Sequence, residues 1–344
     1  MTDTRCCYRL RGSITLLSPL SHIGESLGTD SYLAETTIVG PDGRPATCFS
    51  YSGNAFRGQL RDLGARYLLR RLGDPKLGLE SFHLLFSGGS IGGDQHVDID
   101  QARLMRRLLP FLSVFGGGVG QQILAGKLKI GAMWPLCRET QHLLPPDLRR
   151  DDVPDYGQLS SEHSFTRMDD AKNEALREAY LALAPAVEKL ALGGGTEEPA
   201  KGKRGRKAES DGPAQQMRYT VEVLSAGARL YQRVDLLDMT ELELGAFVSC
   251  LSEFSRHPYI GGKSGIGFGL VNAEWLFLRP GEDAAWRPFV SAGQDRFLPG
   301  PEAEQALDAY DRYVLEVYDR YLEERGGELR RVLAITGGGG HAGA

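Results

Sequence analysis

The hydrophobic period of this chain changes twice in the same way, from two to between three and four. Near the start, Tyr8, Leu10, Ile14 and Leu16 fall on one face of residues 8–16, with Arg9, Arg11, Ser13 and Thr15 on the other. That alternation describes a half-buried strand. Beyond Ser50-Tyr51, the residues Phe56, Leu60, Leu63 and Tyr67 line one face of a helix. It should end near Gly73, with Ser52 or Asn54 as its N-cap. Toward the other end, Met217, Tyr219, Val221 and Val223 alternate, and a second strand covers 229–236. Thr240 and Glu243 then form a capping box before a helix whose apolar face is Leu244, Phe247, Val248 and Leu251. Residues 81–86 (SFHLLF) and the run LVNAEWLFL supply closing strands. Strand–helix–strand taken twice is the ferredoxin-like (RRM-like) βαββαβ pattern, an α+β fold in one sheet. Two separate domains are the alternative.

The stretch between these halves is less regular. Residues 96–112 suggest a short strand and a helix, and a strand is expected over 127–134. Residues 142–170 are polar and show no period. A helix over 171–192 follows from Leu176, Tyr180, Leu183, Val187 and Leu190, interrupted at Pro185. Residues 193–215 are almost free of large apolar side chains, too few to offset ordering entropy, which predicts a disordered loop. Its KGKRGRK run could touch nucleic acid or be a solvated charge run. Leu307, Tyr310, Val314, Val317 and Tyr321 mark an amphipathic C-terminal helix over 301–325, followed by a flexible tail at 336–344.

Composition narrows the function classes. With 41% hydrophobic and 25% charged residues, the 344-residue chain is an ordinary soluble protein. Its net charge of −5 argues against nucleic-acid binding through global charge but leaves room for a local basic groove. The five scattered cysteines contain no CxxC and read as reduced thiols in a cytoplasmic protein. No signal peptide is visible, and no apolar run reaches the roughly 18–20 residues that span a bilayer.

Three glycine clusters follow or end secondary-structure elements, at 88–93, 116–120 and 261–269. Glycine lets main-chain N–H groups approach an anion and permits positive φ. The third, GGKSGIGFG, lies between a helix and a strand. It is no P-loop, because His257 stands where that motif needs glycine and the element order is reversed. The dinucleotide-binding fingerprint fails on the same order. At the other end of the chain, Arg57 and Arg61 are neighbours near a helix N-terminus. The helix dipole gives cations nothing there, so a bound anion explains them, with pairing to Asp62 or another acid as the alternative.

These features together resemble the RAMP superfamily of CRISPR proteins, and most closely the backbone subunit of type IV effector complexes. The residues that carry the resemblance are SPLSHIGES, FSYSGNAFRGQLRDL, FHLLFSGGSIGG, FGGGVGQQIL and GGKSGIGFG, spanning roughly 8–278. It implies a palm over 8–87 and 216–278, and an insertion of fingers and thumb over 88–215, the thumb near 142–170. It further implies guide-RNA (crRNA) binding, with phosphates held by Ser52, Asn54, Arg57 and Arg61 and further contacts from His22, Gln121 and Arg167. Gly88, Gly89, Gly92, Gly93, Gly262, Ser264 and Gly265 would approach the RNA backbone, with Lys263 as counter-charge. Phe165 and Met168 would wedge a base step, although Phe165 also suits core packing. Implied partners are copies of the chain in a head-to-tail filament, guide-processing, large and end-capping subunits, a helicase, and a target strand paired to the guide. No cofactor, metal or membrane is implied.

No chemistry is expected. Asp98 and Asp100 in VDID would share a strand face, where a solvated surface is the plainer reading than a metal site. Glu25 and Asp30 sit in the loop that carries the cutting aspartate of type III relatives, without a convincing match. The rival reading is a metal-dependent RNA nuclease built on these acids. A third is a non-RNA assembly protein held by the Tyr-rich C-terminal helix.

Overall fold

Strand β1 (Cys6–Leu16) has the expected alternation, with Tyr8, Leu10, Ile14 and Leu16 buried and Arg9, Arg11, Ser13 and Thr15 on the opposite face. The structure is a computed structural model that describes residues 4–89, 99–119, 122–168, 216–281, 285–293 and 296–319. Two hairpins follow, β2 (Ile23–Leu27) with β3 (Asp30–Leu33), and β4 (Glu35–Val39) with β5 (Pro45–Phe49). Helix α1 (Gly53–Arg71) begins at Ser52, whose hydroxyl accepts the Ala55 N–H at 3.4 Å. It buries Phe56, Leu60 and Tyr67, as its spacing requires.

Residues 81–86 are not a strand. They lie in helix α2 (Leu79–Phe86), which buries Ser81, Leu84 and Leu85. An apolar run of six residues satisfies either period, so tertiary packing decides. Glu80 in the first turn also favours the helix through its dipole. The described part of 96–112 is helical apart from Leu109, as α3 (Ile99–Leu108) and α4 (Pro110–Phe115). Asp100 therefore stands in the first turn of a helix, where an acid is favourable, and not on a strand face; Asp98 lies outside the described residues.

A small hairpin, β6 (Gly117–Val119) with β7 (Gln122–Leu124), leads into β8 (Leu128–Pro135). The irregular stretch holds a short helix, α5 (Tyr156–Leu159), and a long strand, β9 (Ser160–Met168), which pairs with β10 (Gln216–Leu224). Then come β11 (Arg229–Met239), α6 (Glu241–Arg256), β12 (Val271–Leu278), β13 (Arg287–Gly293), β14 (Arg296–Pro299) and α7 (Pro301–Asp319). The Thr240–Glu243 capping box is formed. The helix expected over 171–192, the loop 193–215, the tail and the end of the C-terminal helix lie outside the described residues.

The described strands form two main sheets. One runs β14-β13-β12-β1-β11-β8 and is antiparallel throughout. The second strand of the first half is thus β8, from within 88–215, and not 81–86. The other sheet runs β2-β3-β10-β9, with β3 and β10 parallel. The fold is α+β, with α6 packed between α1 and α7 over one face of the larger sheet. Phe56 stacks on Trp275 at 6.3 Å and meets Phe254 edge-on at 5.7 Å, which fixes α1 and α6 to β12. Each such ring contributes about 1.5–3 kcal/mol by burial. No helix among the described residues is long and apolar enough to cross a membrane.

Candidate nucleic-acid interface

The chain leaves β5 at Tyr51, which exchanges main-chain hydrogen bonds with Met133 at 3.0 and 2.9 Å and so pins the start of α1 to β8. Its buried hydroxyl accepts the Gly261 N–H at 3.2 Å. Burial raises the Tyr51 pKa, and that bond partly opposes the shift. The His22 ring lies 4.5 Å from the Tyr51 ring, and its Nε2 accepts the Ser52 N–H at 3.4 Å. The Gly262 N–H donates to the Ser21 carbonyl at 2.7 Å, and the Gln59 amide donates to the Tyr259 carbonyl at 2.6 Å. His22, Ser52 and Gly262 are therefore neighbours at one junction, with Asn54 exposed on the first turn of α1 beside it. Tyr51 and Gln59, which tie the junction together, carry no sequence signal for that role.

The glycine-rich loop is built by close main-chain approach. Gly261 (φ +77°) would place a Cβ 2.4 Å from the Ser21 carbonyl oxygen, and Gly269 (φ +83°) one 1.9 Å from that of Ile260. Only glycine fits either position. The Gly269 N–H donates to Pro19 at 2.8 Å, so the loop is laced to residues 19–21. Lys263 adopts the left-handed conformation, and Ser264, Gly265 and Ile266 form an exposed tip.

The second sheet docks against this loop. Phe268 packs with Val221 and Val223, and meets the His163 ring edge-on at 5.5 Å. The Lys263 ammonium sits 5.3 Å from the centroid of Phe165, which stacks on Tyr219 at 5.8 Å. Lys263 and Phe165, singled out for different reasons, are thus in contact, and Phe165 is half-buried and packs against the Val221, Val223 and Phe268 cluster. Arg167 and Met168 lie at the far end of β9, where the main chain pairs with Met217 and Gln216.

The two arginines of α1 are held by main-chain carbonyls. Arg61 is 6% exposed, with Nε donating to Leu85 O at 2.8 Å and Nη2 to Leu84 O at 3.1 Å and Gly116 O at 2.6 Å. Arg57 donates to Phe115 O. Burial, with Arg57 nearby, pushes the Arg61 pKa down to about 10, and burial lowers that of Arg57 too. The negative partner in this structure is a set of main-chain carbonyls and not an acid. It is the carbonyl-rich C-terminal end of α2 and of α4, where the helix dipole favours cations. The three Arg61 bonds use the Nε and Nη2 hydrogens of a side chain that is almost entirely buried. Arg61 organises the first two glycine clusters, where Gly118 N–H donates to Gly88 O at 2.6 Å and Gly89 bridges Gly118. Gly92, Gly93 and Gln121 lie outside the described residues.

Glu25 and Asp30 are not cross-strand partners, since Glu25 faces Tyr32 and Asp30 faces Leu27. Among the described residues no three His, Cys, Asp or Glu side chains converge to hold a metal ion.

No protein-family model matches the chain, and no curated protein does. A solved structure, "Type IV-B CRISPR Complex", contains a chain similar to this one, at 22% identity and a TM-score of 0.51. The match covers 86% of this chain and 96% of that one. The two chains share a fold.

Two outcomes follow from this packing. Arg61→Ala should destabilise the protein by roughly 2–4 kcal/mol, because it strands buried carbonyls, measured by denaturant unfolding; a loss below about 0.5 kcal/mol would contradict the packing described. Burial lowers the His22 pKa, so the unfolded chain takes up the proton first. Stability should fall as pH drops below about 6.5, and His22→Gln should flatten that slope.

Proposed function

We propose that this chain is a guide-RNA-binding backbone subunit of a type IV CRISPR ribonucleoprotein complex. The observation that carries the reading is the fold shared with a chain of a type IV-B complex over nearly the whole of that chain. We read β1-α1-β8-β11-α6-β12 as a ferredoxin-like palm. Its strands lie in the order fourth, first, third, second, which supports that reading.

In this account the RNA spine runs over the junction. The N-terminus of α1, with no acid in its first turn, presents Ser52 and Asn54 to a phosphate. His22 flanks it. Gly262, Lys263, Ser264 and Gly265 approach the adjoining phosphate, and the Phe165–Tyr219 pair offers an apolar face to a base. Such contacts carry no base code, so specificity comes from pairing between guide and target. Copies of the chain stack head to tail along the guide in the cytoplasm, with guide-processing, large and end-capping subunits and a helicase as companions. The chain performs no chemistry and needs no cofactor. The two arginines serve the reading indirectly, by shaping the loops at 88–89 and 116–118.

Purification from cells that express a guide should yield protein carrying protected RNA fragments. Lys263→Ala should weaken retention and lower the slope of log affinity against log salt by about 0.7, one counterion's worth on a single strand. RNA-free preparations, or an unchanged slope, would count against the proposal.

A further inference from the structure

The face of the larger sheet turned away from α1 and α6 carries a cleft of about 560 Å³. Its floor is β8 and β11, where Trp134 and Tyr231 are cross-strand partners. Its rim includes Trp286, residues 142–145 and Arg149. The Arg11 guanidinium lies 4.7 Å from the centroid of a Trp286 ring and is paired with Asp147. Arg9 and Arg233 share a single carboxylate, Asp235, at 3.5 and 2.8 Å. Both remain about half exposed, at 43% and 52%. Arg149 is held to the cleft wall through Leu144 O at 3.0 Å. Three guanidinium groups, those of Arg9, Arg149 and Arg233, thus line the cleft, two of them paired with the one carboxylate of Asp235, on a chain whose net charge is −5. The buried Nε2 of His142, on the same wall, has no hydrogen-bond partner among the described residues.

We infer that this cleft binds a nucleotide of a single-stranded nucleic acid. A base would stack on Trp134 or Trp286, and its phosphate would take up the charge left over on Arg9 and Arg233. Aromatic platforms beside arginines are how strands are held without reading sequence. Protein interfaces also favour Trp, Tyr and Arg. What favours a nucleotide is a concavity on the scale of one base and its phosphate, with guanidinium charge left uncompensated inside it. The cleft shares no residue with the junction proposed to hold the guide, so it is a second contact.

The chain's three tryptophans make the test direct. Trp275 is 2% exposed, so a ligand in the cleft alters emission through Trp134 and Trp286. A five-residue uridine oligonucleotide is titrated into the purified particle together with whatever RNA it carries. Saturable, salt-sensitive quenching is expected. Trp134→Leu should weaken binding about tenfold, and Arg9→Gln with Arg233→Gln should do likewise, with retained RNA unchanged. Absence of quenching in the unmodified protein would overturn the inference, as would quenching that neither variant reduces. Shielding of the tryptophans from acrylamide by another subunit, without any response to the oligonucleotide, would mark the cleft as a protein interface and equally overturn it. If the particle carries no RNA yet the cleft responds, the guide-binding proposal falls and this one stands.

Discussion

Everything at the candidate interface depends on how closely two stretches of main chain approach each other. Residues 260–262 run against residues 19–21 so tightly that a single methylene at position 261 would collide with the Ser21 carbonyl. The same holds at position 269 against Ile260. These contacts bring the loop after α6 onto the segment after β1, and Tyr51 then locks both to the start of α1. Three parts of the sequence, near 20, 52 and 262, become one surface because glycine removes the steric barrier between them. The exposed tip at Ser264–Ile266 is held out from this lattice, and the second sheet supports it through Phe268.

Arg57 and Arg61 illustrate how charge is used inside the fold. A guanidinium loses hydration on burial, and that cost is offset only when its N–H groups find good acceptors. Helix C-terminal carbonyls are such acceptors, since they lack intrahelical partners and carry partial negative charge. Arg61 gathers acceptors from α2 and from the end of α4, and thereby joins two short helices that would be marginal alone. Lys127 and Glu243 do comparable work elsewhere, where a nearly buried pair at 2.6 Å ties the start of β8 to the capped end of α6.

Features set by local period and local hydrogen bonding were legible. The alternation of β1, the apolar face and Ser52 cap of α1, the Thr240–Glu243 box and strand β12 all follow from residues within a few positions of one another. Helix α2 was not legible, because six apolar residues fit either period and their burial depends on Arg61 and the β6 hairpin. The second sheet was not legible either. It joins residues near 30, 163 and 220, and such pairings leave no local trace. The same reasoning explains the arginines: spacing placed them side by side on a helix, but their acceptors lie 23 to 58 residues away. Lys263 and Phe165 were each conspicuous alone, and only the fold puts one over the other.

The central claim is that the junction of the glycine loop, α1 and β9 lies against a polynucleotide backbone. Ultraviolet crosslinking of the purified particle, followed by mass spectrometry of the RNA-bearing peptides, tests it most directly. The account predicts crosslinked peptides from 258–269 and from 160–168. RNA-bearing peptides drawn only from other surfaces, with these two segments unmodified, would contradict it.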